Sequence, residues 1–246
     1  MLQALVASCL ITPPAIWGKL PGHADFVRSG MRHGESEGWR PWLAQHGGMA
    51  SAPKTQGPPA AFVLPPGTLP FAPHRFVVGV ITPSGDRVGR HHALLVYQLA
   101  HRRWVEGNFA QNAAPSSDWL FWLARAVERH TGPTRSVQVN ALERTVQAMW
   151  KLHAPGWRAL ASHGQESSHR IGQRSALSDA TLAQLAGPAR SDDPGMRLQG
   201  VCYFPWADWP QRLFTARAEN AFWQQDAVGG FVNASNRLSS LWEGAA

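Results

Sequence analysis

Two stretches constrain the fold more than any others: residues 75–82 (RFVVGVIT) and 91–99 (HHALLVYQL). Both are apolar and rich in β-branched residues with little alternation, the pattern of strands covered on both faces. Between them, Pro83-Ser84-Gly85-Asp86-Arg87-Val88-Gly89-Arg90 is turn chemistry throughout. Proline presets the first turn angle, and the glycines permit positive φ. The spacing predicts an antiparallel hairpin in a sheet that needs helices to cover it.

The covering helices are legible as well. Residues 117–130 carry Trp119, Trp122, Leu123, Ala126 and Val127 as one apolar stripe, with Ser116 or Ser117 as cap and Gly132-Pro133 as stop. A second helix is predicted over 141–152, burying Leu142, Val146, Met149 and Trp150. Trp39, Trp42 and Leu43 repeat at helical spacing within 35–45 despite Pro41. A strand over 16–20 runs into the turn Pro21-Gly22. Later, 178–186 reads as a short helix, 190–195 as an exposed turn and 198–204 as a strand. Asp208-Trp209-Pro210 then offers a helix cap. Residues 50–70, dense in proline, glycine and small side chains, read as a long connection inside one domain over 1–246. The expected class is α/β: a mixed, largely antiparallel sheet with helices on both faces, a three-layer sandwich.

Composition narrows the function. The chain has 246 residues, 44 % hydrophobic, with 12 tryptophans, enough for a large core. Its formal charge of +7 raises nucleic acid as a partner, but the basic residues are scattered among acidic ones. Only three are lysine (Lys19, Lys54, Lys151), and the longest cluster is Arg102-Arg103. A phosphate-tracking surface shows a concentrated run instead, so no nucleic-acid binding is expected. Cys9 and Cys202 are far apart and frame neither a zinc site nor a disulfide scaffold. Residues 1–11 are apolar but have no cationic start, and read as a first strand or a frayed terminus rather than a secretory signal. With no segment of about 20 apolar residues, no membrane insertion is expected, and the reducing cytoplasm is the default location.

Signatures of catalysis are missing. The sequence contains no phosphate-cradling G-x-x-x-x-G-K-[ST], no G-x-G-x-x-G, no G-x-S-x-G and no H-E-x-x-H. His91 and His92 are adjacent, so on a strand one faces the core and the other the surface. Asp192-Asp193 fall in a Pro/Gly turn of solvated residues. Trp206 and Trp209 flank a loop, where they either cap the core edge or anchor an interface. No catalytic residue, cofactor or metal site is expected.

Two segments stand out. In Trp17-Gly18-Lys19-Leu20-Pro21-Gly22-His23-Ala24-Asp25-Phe26, a lysine leaves a strand between apolar neighbours and will seek an anionic partner. Asp25, across the Pro21-Gly22 reversal, is the nearby candidate, as a structural clamp or as part of a binding surface. In the second segment, residues 83–90, Asp86 can close the loop on Arg87 or Arg90 through a charge-assisted hydrogen bond. That loop reads as a rigid turn, as an Arg/Asp surface presented to another protein, or as an anion site of Arg87, Arg90 and loop amides.

Together these segments resemble the TagF family of type VI secretion accessory proteins. Its members open with aromatic-Gly-Lys-Leu-Pro leading to Gly-Asp-Phe, matched by Trp17, Gly18, Lys19, Leu20 and Pro21 and then by Asp25 and Phe26, with Ala24 in place of glycine. Trp39 and Trp42-Leu43 follow. The Pro-Ser-x-Asp-Arg-x-Gly-Arg signature is present as Pro83, Ser84, Asp86, Arg87, Gly89 and Arg90. His92-Ala93-Leu94 stands where relatives have aromatic-Pro-Leu. The resemblance is good over 16–130 and weak beyond.

It implies an α/β sandwich and a non-enzymatic, cytoplasmic regulator. Such a protein represses the secretion apparatus after translation by binding other type VI proteins, in particular a forkhead-associated scaffold. Two other readings stay open: an anion- or nucleotide-responsive switch or hydrolase using Asp86, Arg87 and Arg90, and a structural component of the apparatus.

Overall fold

The computed structural model describes residues 9–46, 58–109, 119–131, 139–154, 206, 209–225 and 231–243. In the first half the elements are β1 (Ala15–Gly18), β2 (Val27–Ser29), α1 (Glu35–Gln45), β3 (Ala60–Leu64), β4 (Phe76–Thr82) and β5 (Leu94–Ala100). There follow α2 (Arg102–Asn108), α3 (Trp119–Thr131), α4 (Val139–His153), α5 (Trp209–Phe214), β6 (Ala221–Gln225), β7 (Phe231–Ser235) and α6 (Leu238–Glu243).

The seven strands form an open sheet in the order β2-β1-β5-β4-β3-β6-β7. β4 and β5 pair as the predicted hairpin, from Phe76 opposite Ala100 to Thr82 opposite Leu94. Every pairing between these strands is antiparallel, which corrects the expectation of a mixed sheet. Strand direction after a long crossover is set by where the chain re-enters the sheet, which composition does not encode.

Alternate residues explain why the central strands read as continuous apolar runs. Ala61, Val63, Val78, Val80, Leu94 and Val96 join one cluster with Trp119, Leu123, Val127, Leu142, Val146 and Met149 of α3 and α4. The intervening Ala60, Phe62, Leu64, Val77, Ile81, Leu95 and Tyr97 join a second cluster with Trp39, Trp42 and Leu43 of α1 and Leu241 and Trp242 of α6. Both stripes predicted for α3 and α4 are buried as expected, and α1 covers the predicted span 35–45 with Pro41 inside it.

The expected connection over 50–70 needs correction. Residues 60–64 (AAFVL) are a fully buried strand, β3, held between β4 and β6. Proline bounds it on each side, and proline cannot donate to a ladder. The five-residue strand was therefore hidden by the composition of its flanks. Near the start, Ile11 makes a single bridge to Ala100. The predicted elements at 178–186, 190–195 and 198–204 lie outside the described residues, as do Asp192, Asp193, Cys202 and the caps Ser116 and Ser117. Trp206 packs at the edge of the first cluster with the Arg212 guanidinium over its ring. No helix among the described residues is long and apolar enough to cross a membrane.

Candidate functional site

β1 carries the first motif into the sheet beside β5, Gly18 opposite Leu94. Gly18 has φ +135°, and a Cβ built on it would lie 2.1 Å from the Ala93 carbonyl oxygen and 2.7 Å from Leu94 Cα. Only glycine allows this close approach. It brings the next residue, Lys19, alongside the loop that precedes β5.

Lys19 consequently pairs with Asp86 and not with Asp25. Its Nζ donates to Asp86 Oδ2 at 2.7 Å, both side chains being buried. Asp25 is exposed, and its Oδ1 accepts the backbone amide of Phe26. The Pro21-Gly22 reversal is present, with the His23 amide bonded to the Leu20 carbonyl, but it turns Asp25 outward. Ala24, standing where relatives have glycine, does not adopt positive φ.

Asp86 is the hub of the second segment. Its Oδ1 accepts the amides of Val88 (3.0 Å) and Arg90 (2.8 Å), and its Oδ2 also accepts Arg90 Nε at 2.7 Å. Arg90 reaches back with Nη2 to the Ala24 carbonyl, and the Arg87 amide donates to the His23 carbonyl. The two chain reversals are thus tied together at three points. Burial by itself would raise the Asp86 carboxyl. The Lys19 ammonium, the Arg90 amide and guanidinium and the Val88 amide outweigh it and hold the group well below the ordinary carboxylate range.

Beneath the loop lies an aromatic layer. Trp17 stacks on Phe26 at 5.7 Å, and His92 meets both edge-on, at 4.9 and 4.7 Å. Lys19 Nζ sits 5.4 Å from the Phe26 ring centre. Nδ1 of His92 lies 2.7 Å from the Ala93 carbonyl, which can only accept, so the proton is on Nδ1. Burial pushes the imidazole down, and the Ala93 carbonyl pulls it up. Lys19 and Arg40 push it down again, so the net shift is below the ordinary value. Ser84, second residue of the signature, is buried and contributes its carbonyl to the His92 amide. His91 is exposed, as the adjacent-histidine reading required.

Every backbone amide from residue 86 to 90 has a partner within the protein: Asp86 N on the Arg90 carbonyl, Gly89 N on the Asp86 carbonyl, and the three already described. An anion at this tip would find side chains but no free loop amides. Facing outward are Arg87, Val88, Gly89, part of Arg90, His91 and Asp25.

The structure thus unites Trp17, Gly18, Lys19, Phe26, Pro83, Ser84 and Asp86 in one buried or half-buried cluster, closed from the solvent side by Gly89 and Arg90. Asp25 and Arg87 remain on its surface. Sequence reasoning missed the carbonyls of His23 and Ala24, which no side-chain pattern reports, and the place of His92. It also missed a second buried carboxylate: Glu35, at the start of α1, takes the Tyr97 hydroxyl at 2.6 Å. Burial and that carboxylate push the Tyr97 hydroxyl up.

Residues 15–149 match the family model described as the TagF N-terminal domain, type VI secretion system-associated. The chain belongs to the TagF family. The matched span is more than half of the 246 residues and contains both motif segments. Among solved structures, this TagF-family chain is similar to PA0076 from Pseudomonas aeruginosa PAO1, known from a crystal structure at 2.05 Å. The two are 20 % identical over 92 % of this chain and 89 % of that one, with a TM-score of 0.44. No curated sequence matches the chain.

Proposed function

We propose that this TagF-family chain is a non-enzymatic, cytoplasmic accessory protein of the type VI secretion system. It represses the apparatus after translation by binding another of its proteins, with a forkhead-associated scaffold as the candidate partner. The same reading takes the whole chain as one domain and the helices on the two sheet faces as the outer layers of a three-layer sandwich. Family membership supports the association with type VI secretion.

One observation carries the binding role. Lys19 and Arg90 are spent on Asp86, and the loop amides on the loop itself and on the His23 carbonyl. A carboxylate saturated by four donors and held below its ordinary range is a poor proton acceptor. What the cluster achieves physically is a rigid knuckle with Arg87, Val88 and His91 on its outside. A loop already fixed in shape loses little conformational freedom on binding. Those features favour a presented surface over the anion-switch or hydrolase reading, which would need the amides free.

The test uses the full chain overproduced in a bacterium that fires its type VI apparatus. Secreted apparatus proteins in the medium should fall with the wild-type chain and remain at control level with the Arg87→Glu, Val88→Asp double variant, while melting temperatures agree within about 3 °C, as expected for surface changes. Secretion unaffected by the wild-type chain would refute repression. Equal repression by the double variant would move the contact off the knuckle.

A further inference from the structure

We infer that the partner of the 86–91 knuckle presents carboxylates around a shallow apolar recess, with Val88 entering the recess and Arg87 meeting the acidic rim. The inference rests on the protein-binding reading above and adds the chemistry of the partner.

Val88 is 63 % exposed, one of two large apolar side chains so exposed among the described residues. It stands at the centre of a loop fixed from below by the Lys19–Asp86 pair and by every amide from 86 to 90. An isolated exposed valine is ordinary. A valine at the apex of a loop braced by two buried or half-buried ionic contacts is held at one position and angle, which is the geometry of an interface anchor.

Charge sets the complement. Lys19 and Asp86 neutralise each other inside. Outside, Arg87 and Arg90 are exposed, His91 joins them, and Asp25 is the one exposed carboxylate of the two segments. Arg90 directs Nε to Asp86 and Nη2 to the Ala24 carbonyl, so it is committed to shape. Arg87 makes its backbone bond to His23 and is exposed, leaving its guanidinium fork as the group to read a carboxylate bidentately. Because the loop amides are occupied, the recognition runs through side chains, which suits a shaped protein surface better than a phosphate backbone.

The experiment takes the purified full chain and, as probe, the forkhead-associated scaffold of the same bacterium's type VI apparatus. A photo-crosslinking amino acid replaces Val88 in one preparation and Val232, the other exposed valine on β7, in another. Crosslinking at 88 and not at 232 is expected, with the crosslinked scaffold peptides rich in Asp and Glu. Arg87→Glu should weaken binding about 10- to 100-fold, the range of a charge reversal at an interface rim, and Arg87→Lys should weaken it less. Wild-type affinity should fall with added salt, and reversing a scaffold carboxylate to Arg should restore binding to Arg87→Glu. Far-UV circular dichroism confirms that each variant is folded. If crosslinking maps to 88 but Arg87→Glu binds as wild type, or if the captured scaffold segment lacks carboxylates, the acidic-rim inference is refuted while the protein-binding reading survives. If the scaffold does not bind at all, or binds with contacts only at 232, the knuckle reading falls as well.

Discussion

Gly18→Ala isolates the one backbone contact that places Lys19. Two costs add. The residue sits at φ +135°, a conformation that costs an L-residue about 1–3 kcal/mol. The new methyl would lie 2.1 Å from the Ala93 carbonyl oxygen, 2.7 Å from Leu94 Cα and 3.0 Å from the Ala93 carbonyl carbon. All three are backbone atoms of the neighbouring segment and cannot swing aside. Forcing that overlap apart costs about 1–3 kcal/mol more, so a loss of about 2–6 kcal/mol is expected. For a chain of this size each kcal/mol shifts the melting temperature by about 2–4 °C, giving a fall of about 4–24 °C. Gly89→Ala is the control. Its φ is +83° with no atom within 4 Å of the built Cβ, so only the backbone cost of about 1–2 kcal/mol applies. Thermal and urea unfolding of the wild type and the two variants give the comparison. If Gly18→Ala melts no lower than Gly89→Ala, the close packing of β1 on β5 does not set the geometry of the site.

Two further predictions concern protons. Asp86 has its folded pKa depressed, so its contribution to stability is complete above about pH 4 and is lost only as the pH falls through the depressed folded value. Lys19→Met removes the strongest opposing donor, and the acid limb of a melting-temperature–pH curve should move to higher pH; an unmoved limb would mean that the Lys19–Asp86 pair is energetically silent. His92 also has its folded pKa depressed, so the unfolded chain takes up a proton near pH 6.5 that the folded chain resists. Stability should therefore decline as the pH falls below about 6.5, and His92→Gln should flatten that decline. An unchanged slope in the variant would assign the decline to another histidine.

The sequence exposed those parts of the fold in which local pattern and final environment agree. The runs that became β4 and β5 are buried at every position, their apolar side chains joining alternately the cluster of α3 and α4 and the cluster of α1 and α6. The helical stripes of α3 and α4 likewise bury the residues that their spacing named. β3 escaped notice because five residues between proline pairs carry too little periodicity to outweigh their flanks. The site was half legible. Its residue types and its two segments were apparent, and so was the closure of Asp86 on Arg90.

Lys19 shows where local reading stops. From the sequence alone, a lysine emerging from an apolar strand was bound to seek a carboxylate. Which carboxylate it found was decided by the order of strands. The Pro21-Gly22 turn brings Asp25 near in sequence but faces it to solvent, whereas β1 adds beside β5 and so lies against a loop 67 positions away that carries Asp86. Residue chemistry determines which partners a buried charge requires, because desolvation is a local cost. Sheet topology determines which partner is within reach, because only the folded sheet brings two distant chain reversals together.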